Sequence, residues 1–367
     1  MKRVLTALAV AAAAAWVAWD VPIALGRRPR GERVTRSPQY RDGAFRNQAT
    51  PKPVEPGAMR NTLRTLVREN AGRKPAGPIP VVGPLAPIDT GLHITWHGHA
   101  TSLIELDGAR VLLDPVWSER VSPSRLVGPR RLHQPPQPIE ALPRLDAVVI
   151  SHDHYDHLDL GAIRALVRTQ EAPFVVPLGI GAHLERWRVP ANRIIELDWH
   201  ESVEIGAVTL TATPAQHFSG RGFKRDGTLW ASWVISAEQK GGQENGGQEN
   251  NVFYTGDSGY FAGYREIGAQ YGPFDATLVQ IGAYAPGWPD IHMTPEEGVA
   301  SHVDVRGGLL IPVHWATFSL APHPWTDPVD RLLVEADKQG VTVAIPKPGE
   351  RVDVSAPPKL DYWWSDC

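Results

Sequence analysis

The stretch Ala147-Val-Val-Ile-Ser-His152-Asp153-His154-Tyr155-Asp156-His157 decides how the rest of this 367-residue chain reads. Residues 147–151 form an apolar, β-branched run without polar alternation, the mark of a strand buried on both faces. The run ends on His152, His154, Asp156 and His157, the pattern H-x-H-x-D-H. On a strand-to-helix turn, His152 and His154 can face one ion while Asp156 and His157 reach a second beside it. Imidazole nitrogen and carboxylate oxygen without thiolate suit Zn²⁺, with Fe or Mn also accommodated. A solvated polar loop could carry the same residue types, but this cluster directly follows a buried-looking strand.

Working outward, the same ending recurs. Val208-Thr-Leu-Thr-Ala-Thr-Pro-Ala-Gln-His217, Val252-Phe-Tyr-Thr-Gly-Asp257 and Leu309-Leu-Ile-Pro-Val-His314 are apolar β-type runs that close on a His or Asp. Strand ends of packed sheets share a rim, so ligands far apart in sequence can converge there. Strands are expected over residues 94–106, 111–115, 147–151, 174–177, 208–213, 229–236, 252–255, 276–281, 309–313 and 341–345. Helices are expected over 59–69, 158–169, 294–303 and 328–339, the third opened by a Thr294/Glu297 capping box and the last stopped by Gly340. This order predicts an α/β protein of two sheets with helices outside.

These residues resemble the metallo-β-lactamase superfamily. The resemblance implies a four-layered αββα sandwich with two mixed sheets over residues 91–354. It assigns His152, His154 and His217 to one metal, Asp156, His157 and His314 to the other, and makes Asp257 the bridge. Narrower motifs are similar to the N-acylphosphatidylethanolamine phospholipase D branch and its bacterial relatives: Trp96-His-Gly-His-Ala-Thr101, Leu113-Asp-Pro-Val116, Ser122-Pro-Ser-Arg-Leu-Val-Gly-Pro129, the block 146–159, Tyr271-Gly-Pro-Phe-Asp275, Ile281-Gly-Ala-Tyr-Ala-Pro286 and His314-Trp-Ala-Thr-Phe318.

This narrower resemblance implies two Zn²⁺ ions and a phosphodiesterase acting on N-acylphosphatidylethanolamine or a related lipid. A hydroxide shared by the two ions would be the nucleophile, oriented or deprotonated by Asp156. His292 falls where the branch has a site histidine, which could contact the phosphate or polarise its oxygen, a surface-loop histidine being the alternative. His97 and His99 read equally as motif residues or as buried, hydrogen-bonded histidines. Asp114 reads as a carboxylate orienting a metal-bound His, or as a turn cap. Trp117, Tyr284, Trp288, Trp315 and Phe318 lie near the motifs and could line an acyl-chain groove. A lactonase or other ester hydrolase is the alternative enzyme, and a metal-binding envelope or regulatory protein without turnover the alternative of another class. A β-lactamase proper fits less well, because no cysteine is available as a ligand.

Composition sets the outer bounds. A 42% hydrophobic, 21% charged chain with net charge −3 gives no electrostatic footprint for nucleic acid. The single cysteine, Cys367, excludes an intrachain disulfide and a Cys-rich metal site, whereas fourteen His supply donors freely. Met1-Lys-Arg followed by an apolar run from Val4 to Trp19 reads as a signal peptide or N-terminal membrane anchor within residues 1–26. That points to the periplasmic side of a bacterial envelope and a membrane surface as partner, a helix of a cytoplasmic protein being the alternative. Residues 27–90 read as an extended Pro/Arg-rich arm packing on the core, since Ser37-Pro-Gln-Tyr-Arg-Asp-Gly resembles the opening of the bacterial relatives. The tandem Gly241-Gly-Gln-Glu-Asn and Gly246-Gly-Gln-Glu-Asn reads as an expanded hairpin loop, and residues 355–367 as a C-terminal tail. The thirteen Trp, with Trp363-Trp364 among them, suit a protein near an interface.

Overall fold

The computed structural model describes Thr6 and residues 21–68, 72–222, 224–238 and 249–367. The apolar run 4–19, Thr6 apart, and most of the pentapeptide repeat lie outside the described residues. Among the described residues no helix is long and apolar enough to cross a membrane.

The arm carries α1 (Glu32–Thr35), a small hairpin of β1 (Tyr40–Arg41) and β2 (Ala44–Phe45), and α2 (Ala58–Arg68). Next come β3 (Leu92–Gly98), β4 (Thr101–Leu106), β5 (Ala109–Leu113), β6 (Ala147–Val149), α3 (Leu160–Thr169), β7 (Phe174–Pro177), α4 (Gly181–Arg186) and β8 (Ile194–Leu197). The second half supplies β9 (Ser202–Ile205), β10 (Val208–Thr213), β11 (Ser232–Glu238), β12 (Glu249–Tyr254), α5 (Gly263–Tyr271), β13 (Phe274–Gln280), α6 (Pro295–Asp304), β14 (Gly307–Val313), α7 (Asp327–Gln339) and β15 (Thr342–Val343). Finally β16 (Arg351–Asp353) pairs back with β3.

Two mixed seven-stranded sheets result, in the orders β16-β3-β4-β5-β6-β7-β8 and β15-β14-β13-β12-β11-β10-β9. Strands β5 to β8 are parallel, as are β12 to β15, and the other neighbours are antiparallel. Side-chain alternation builds the layers. Leu112, Val148, Phe174 and Val176 join Ile163 and Leu166 of α3 in one apolar cluster. Their neighbours Val111, Leu113, Val149 and Val175 turn to the other face and enter the cluster that holds Val252, Leu278, Val299 and Leu332 of the second half. The expected α/β sandwich of two mixed sheets with outer helices is therefore the observed one. The capping box at Thr294 and Glu297 opens α6, and Gly340 closes α7 in the left-handed conformation.

Three expectations change. The run 94–106 is a hairpin of β3 and β4, because Gly98 (φ 100°) and His99 (φ 52°) reverse the chain. Only glycine fits at 98: a Cβ there would stand 2.8 Å from the His133 ring. The run 229–236 starts pairing only at Ser232, since Leu229 and Ala231 donate instead to Leu178 and Ser151 of the first half. Trp363 and Trp364 are no interfacial pair; both are buried in the core, Trp363 with its ring 5.4 Å from that of Trp315.

Candidate metal centre

Within the first sheet β3, β5 and β6 run the same way, and within the second β10, β12 and β14 do. Each ends at or just before a polar residue of the site: His99 past β3, Asp114 after β5, His152 past β6, His217 past β10, Asp257 past β12 and His314 after β14. Ligands at the carboxyl ends of parallel strands are the general rule for open α/β sheets.

All seven metal-type donors singled out in the sequence come together. His152, His154, His217 and Asp257 form one group, and Asp156, His157 and His314 form a second with His99; within each, the donor atoms lie within 4.8 Å of one another. The Oδ2 atom of Asp257 stands between them, 3.8 Å from His152 Nε2 and 3.9 Å from His217 Nε2 on one side. On the other side it is 3.1 Å from both His157 Nε2 and His314 Nε2.

Hydrogen bonds at the back of the rings fix which nitrogens face inward. His217 Nδ1 donates to the Ile291 carbonyl at 2.9 Å, so its Nε2 keeps a lone pair. His157 Nδ1 donates to Asp114 Oδ2 at 2.6 Å, which turns its Nε2 inward. Ser151 Oγ donates to Asp114 Oδ2, which leaves it to accept from His152 Nδ1 at 2.9 Å. Tyr254 OH also donates to that Asp114 oxygen, so this buried carboxylate orients two donor rings at once. His154 instead presents Nδ1, 2.8 Å from His152 Nε2 and 3.2 Å from His217 Nε2. His157 Nε2, His314 Nε2 and Asp257 Oδ1 are buried without a hydrogen-bond partner. Convergent lone pairs and carboxylates, several unsatisfied, are costly by themselves and fit divalent cations.

Charge balance in the protein alone tells the same story. Burial holds His152, His154 and His217 below the ordinary histidine range. Burial also acts against the charged forms of His157 and His314, but the Asp257 and Asp156 carboxylates overcome it, raising His157 well above its usual value and His314 to about 9. Burial disfavours ionisation of Asp156 and Asp257, yet the facing imidazoles, His157 foremost, hold both carboxyls well below their usual range. Two carboxylates are thus offset by protons on two rings, which cations would displace.

The remaining candidates separate. His292 lies at the centre, its Nδ1 bonded to the Ala283 carbonyl at 2.8 Å and its Nε2 3.1 Å from Asp257 Oδ2. His99, carried by the β3–β4 turn, puts Nε2 3.0 Å from Asp156 Oδ2 and its ring 4.0 Å from that of His314. His97 points elsewhere, buried against Trp117 with both ring nitrogens unpartnered. A residue not read from the sequence is Asn47 of the arm, whose side chain bonds both backbone groups of His217. Beside His217 a groove of about 460 Å³ runs between the arm and the 287–291 loop, with Val54, Met59, Phe218, Trp230, Trp288 and Ile291 in its walls. Of the five aromatics expected to line a groove, Trp288 does; Trp315 and Phe318 are buried in packing clusters, Trp117 packs against the cluster around α3, and Tyr284 stacks on His323.

Two sheets whose strand ends gather histidines and carboxylates into paired donor groups define a metal-dependent hydrolase of the metallo-β-lactamase fold. Residues 109–315 match the Beta-lactamase superfamily domain, and the chain belongs to that superfamily. It is 50% identical over 358 residues to an uncharacterised protein of Mycobacterium tuberculosis, covering 94% of this chain and 92% of that one. It is 35% identical over 257 residues to the N-acyl-phosphatidylethanolamine-hydrolyzing phospholipase D 1 of Caenorhabditis elegans, covering 66% of this chain and 69% of the relative. Among solved structures, the metallo hydrolase Igni18 of Ignicoccus hospitalis shares the fold with a TM-score of 0.54 at 23% identity, over 71% of this chain and 97% of that one.

Proposed function

We propose that this chain is a binuclear, zinc-type phosphodiesterase of the phospholipase D kind, acting on N-acylphosphatidylethanolamine or a related lipid at a membrane surface. The observation that carries the reading is the position of Asp257 Oδ2 between two complete donor groups, with His292 Nε2 3.1 Å away. His152, His154 and His217 would hold one ion, Asp156, His157 and His314 the other, and Asp257 both.

Two divalent ions so held supply an activated water and neutralise charge on phosphoryl oxygens. The protein's own groups do the rest. Asp156, partly exposed, would orient that water or take its proton, and His99 Nε2, 3.0 Å from its Oδ2, steadies it. His292, pinned through Nδ1, presents Nε2 to the reacting phosphate, where it gives or takes a proton. The neighbouring groove offers apolar walls for acyl chains together with Arg46 and Arg225, two cations suited to a lipid phosphate. The C. elegans relative supports this substrate class.

The test compares metal-loaded protein on bis-p-nitrophenyl phosphate with a lactone panel. Turnover of the phosphodiester alone is expected, abolished together with metal content in Asp156→Ala and His157→Ala. Hydrolysis of lactones alone would move the reading to ester chemistry, and no turnover with two bound metals would remove the enzyme reading.

A further inference from the structure

Helix α2 packs on the site through one narrow side. Thr62 is buried, and Gly287 in the groove wall is the residue that lets it approach: a Cβ there would stand 2.9 Å from Thr62 Oγ1 and 3.2 Å from the Met59 backbone. The rest of the helix faces outward with an unusual pattern. Met59, Leu63 and Val67 follow at four-residue spacing, which sets them in one stripe, and they are 43%, 52% and 87% exposed. Arg60 and Arg64, each one position on, form the adjoining exposed stripe. Among the described residues neither arginine has a carboxylate or hydrogen-bond partner. A soluble helix hides its apolar stripe and turns its cations outward; here both face out side by side.

We infer that α2 is an interfacial helix that seats the protein on an anionic lipid bilayer, with its apolar stripe among the acyl chains and Arg60 and Arg64 at the headgroups. The paired stripes select this occupant: an apolar protein partner would leave two arginines desolvated, whereas a bilayer edge satisfies both. The placement also has a consequence for catalysis, and here it rests on the proposed lipid substrate. Met59 belongs both to the stripe and to the wall of the groove that reaches His217. A lipid can therefore leave the bilayer plane beside α2 and enter the groove without crossing water.

The test uses the full chain in a Cys367→Ser background with Val67→Cys carrying an environment-sensitive fluorophore. With vesicles of phosphatidylcholine mixed with phosphatidylglycerol, the expected result is a blue-shifted emission, quenched by doxyl-labelled lipids and weakened by salt. Reading the probe at α2 separates this contact from any made by residues 1–20. A second variant, Leu63→Ser with Val67→Ser, should lower kcat/KM on vesicle-borne substrate about tenfold and leave turnover of bis-p-nitrophenyl phosphate unchanged. An unshifted probe while the protein floats with the vesicles would overturn the inference, as would a stripe variant that instead dissociates a dimer. The fluorescence requires no turnover, so failure of the phosphodiesterase reading shows separately, as loss of activity with the blue shift intact.

Discussion

The side chain of Asn47 closes a two-point hydrogen bond on the backbone of His217, Nδ2 donating to the carbonyl at 2.8 Å and Oδ1 accepting from the amide at 3.0 Å. The arm thereby fixes a donor residue of the metal centre, and Trp230 Nε1, bonded to the same Oδ1, fixes Asn47. Asn47→Ala leaves those buried backbone groups unpaired, at a cost of about 1–3 kcal/mol. Metal analysis after dialysis should show roughly tenfold weaker retention at the His152, His154 and His217 group, with thermal unfolding lowered by a few degrees.

Asp114 deserves a sharper variant, because its Oδ2 accepts from His157, Ser151 and Tyr254 together. Asp114→Asn keeps the volume but loses acceptor capacity and negative charge. His157 is then free to tilt or change tautomer. Metal affinity should fall about 10–100-fold by competition with a chelator, with secondary structure by circular dichroism unchanged.

The ion-free protein should lose stability as pH rises. His314, raised to about 9, and His157, also raised, contribute stability that is full below the unfolded histidine value of roughly 6.5 and is lost as pH passes through about 9. The lowered rings His152, His154 and His217 act only below that window. In chelator, the melting temperature should therefore drop between pH ~6.5 and ~9. The metal-loaded protein should hold its stability across the same range. Calorimetry of metal uptake near neutral pH, repeated in buffers of different ionisation enthalpy, should report about two protons released.

His292→Ala should separate binding of metal from use of it. The ring lies near Asp257 but outside both expected ligand trios, so metal content stays as in the unaltered protein. Its Nε2 stands 3.1 Å from Asp257 Oδ2, where the proposed mechanism places the phosphate, so kcat on a phosphodiester should fall about 10²–10⁴-fold. A parallel loss of metal in His292→Ala would make it a ligand instead.

Much of this centre was legible because its donors sit at the ends of buried strands, where apolar runs stop abruptly. His152, His217, Asp257 and His314 carry that signal in their own neighbourhoods, and Gly340 and Thr294 mark helix ends through local backbone demands. What was hidden is what depends on distant partners. Nothing near Asn47 in sequence announces a bond to residue 217, and His97 and His99, one residue apart, differ only because Gly98 turns the chain between them. Edge strands β8, β9 and β16 escaped for a related reason: short and partly exposed, they are strands mainly because a neighbour is there to pair with. Trp363 and Trp364 looked interfacial by composition, yet the hollow against Trp315 that buries them is assembled from remote segments.

The central claim is that this centre breaks a phosphodiester on the head-group side of a lipid. The most direct measurement is mass spectrometry of the products formed from N-acylphosphatidylethanolamine by metal-loaded protein in heavy-oxygen water. Attack at phosphorus predicts phosphatidic acid carrying one heavy oxygen and an unlabelled N-acylethanolamine. A labelled free fatty acid with the phosphodiester intact, or intact lipid from protein holding both metals, would contradict it.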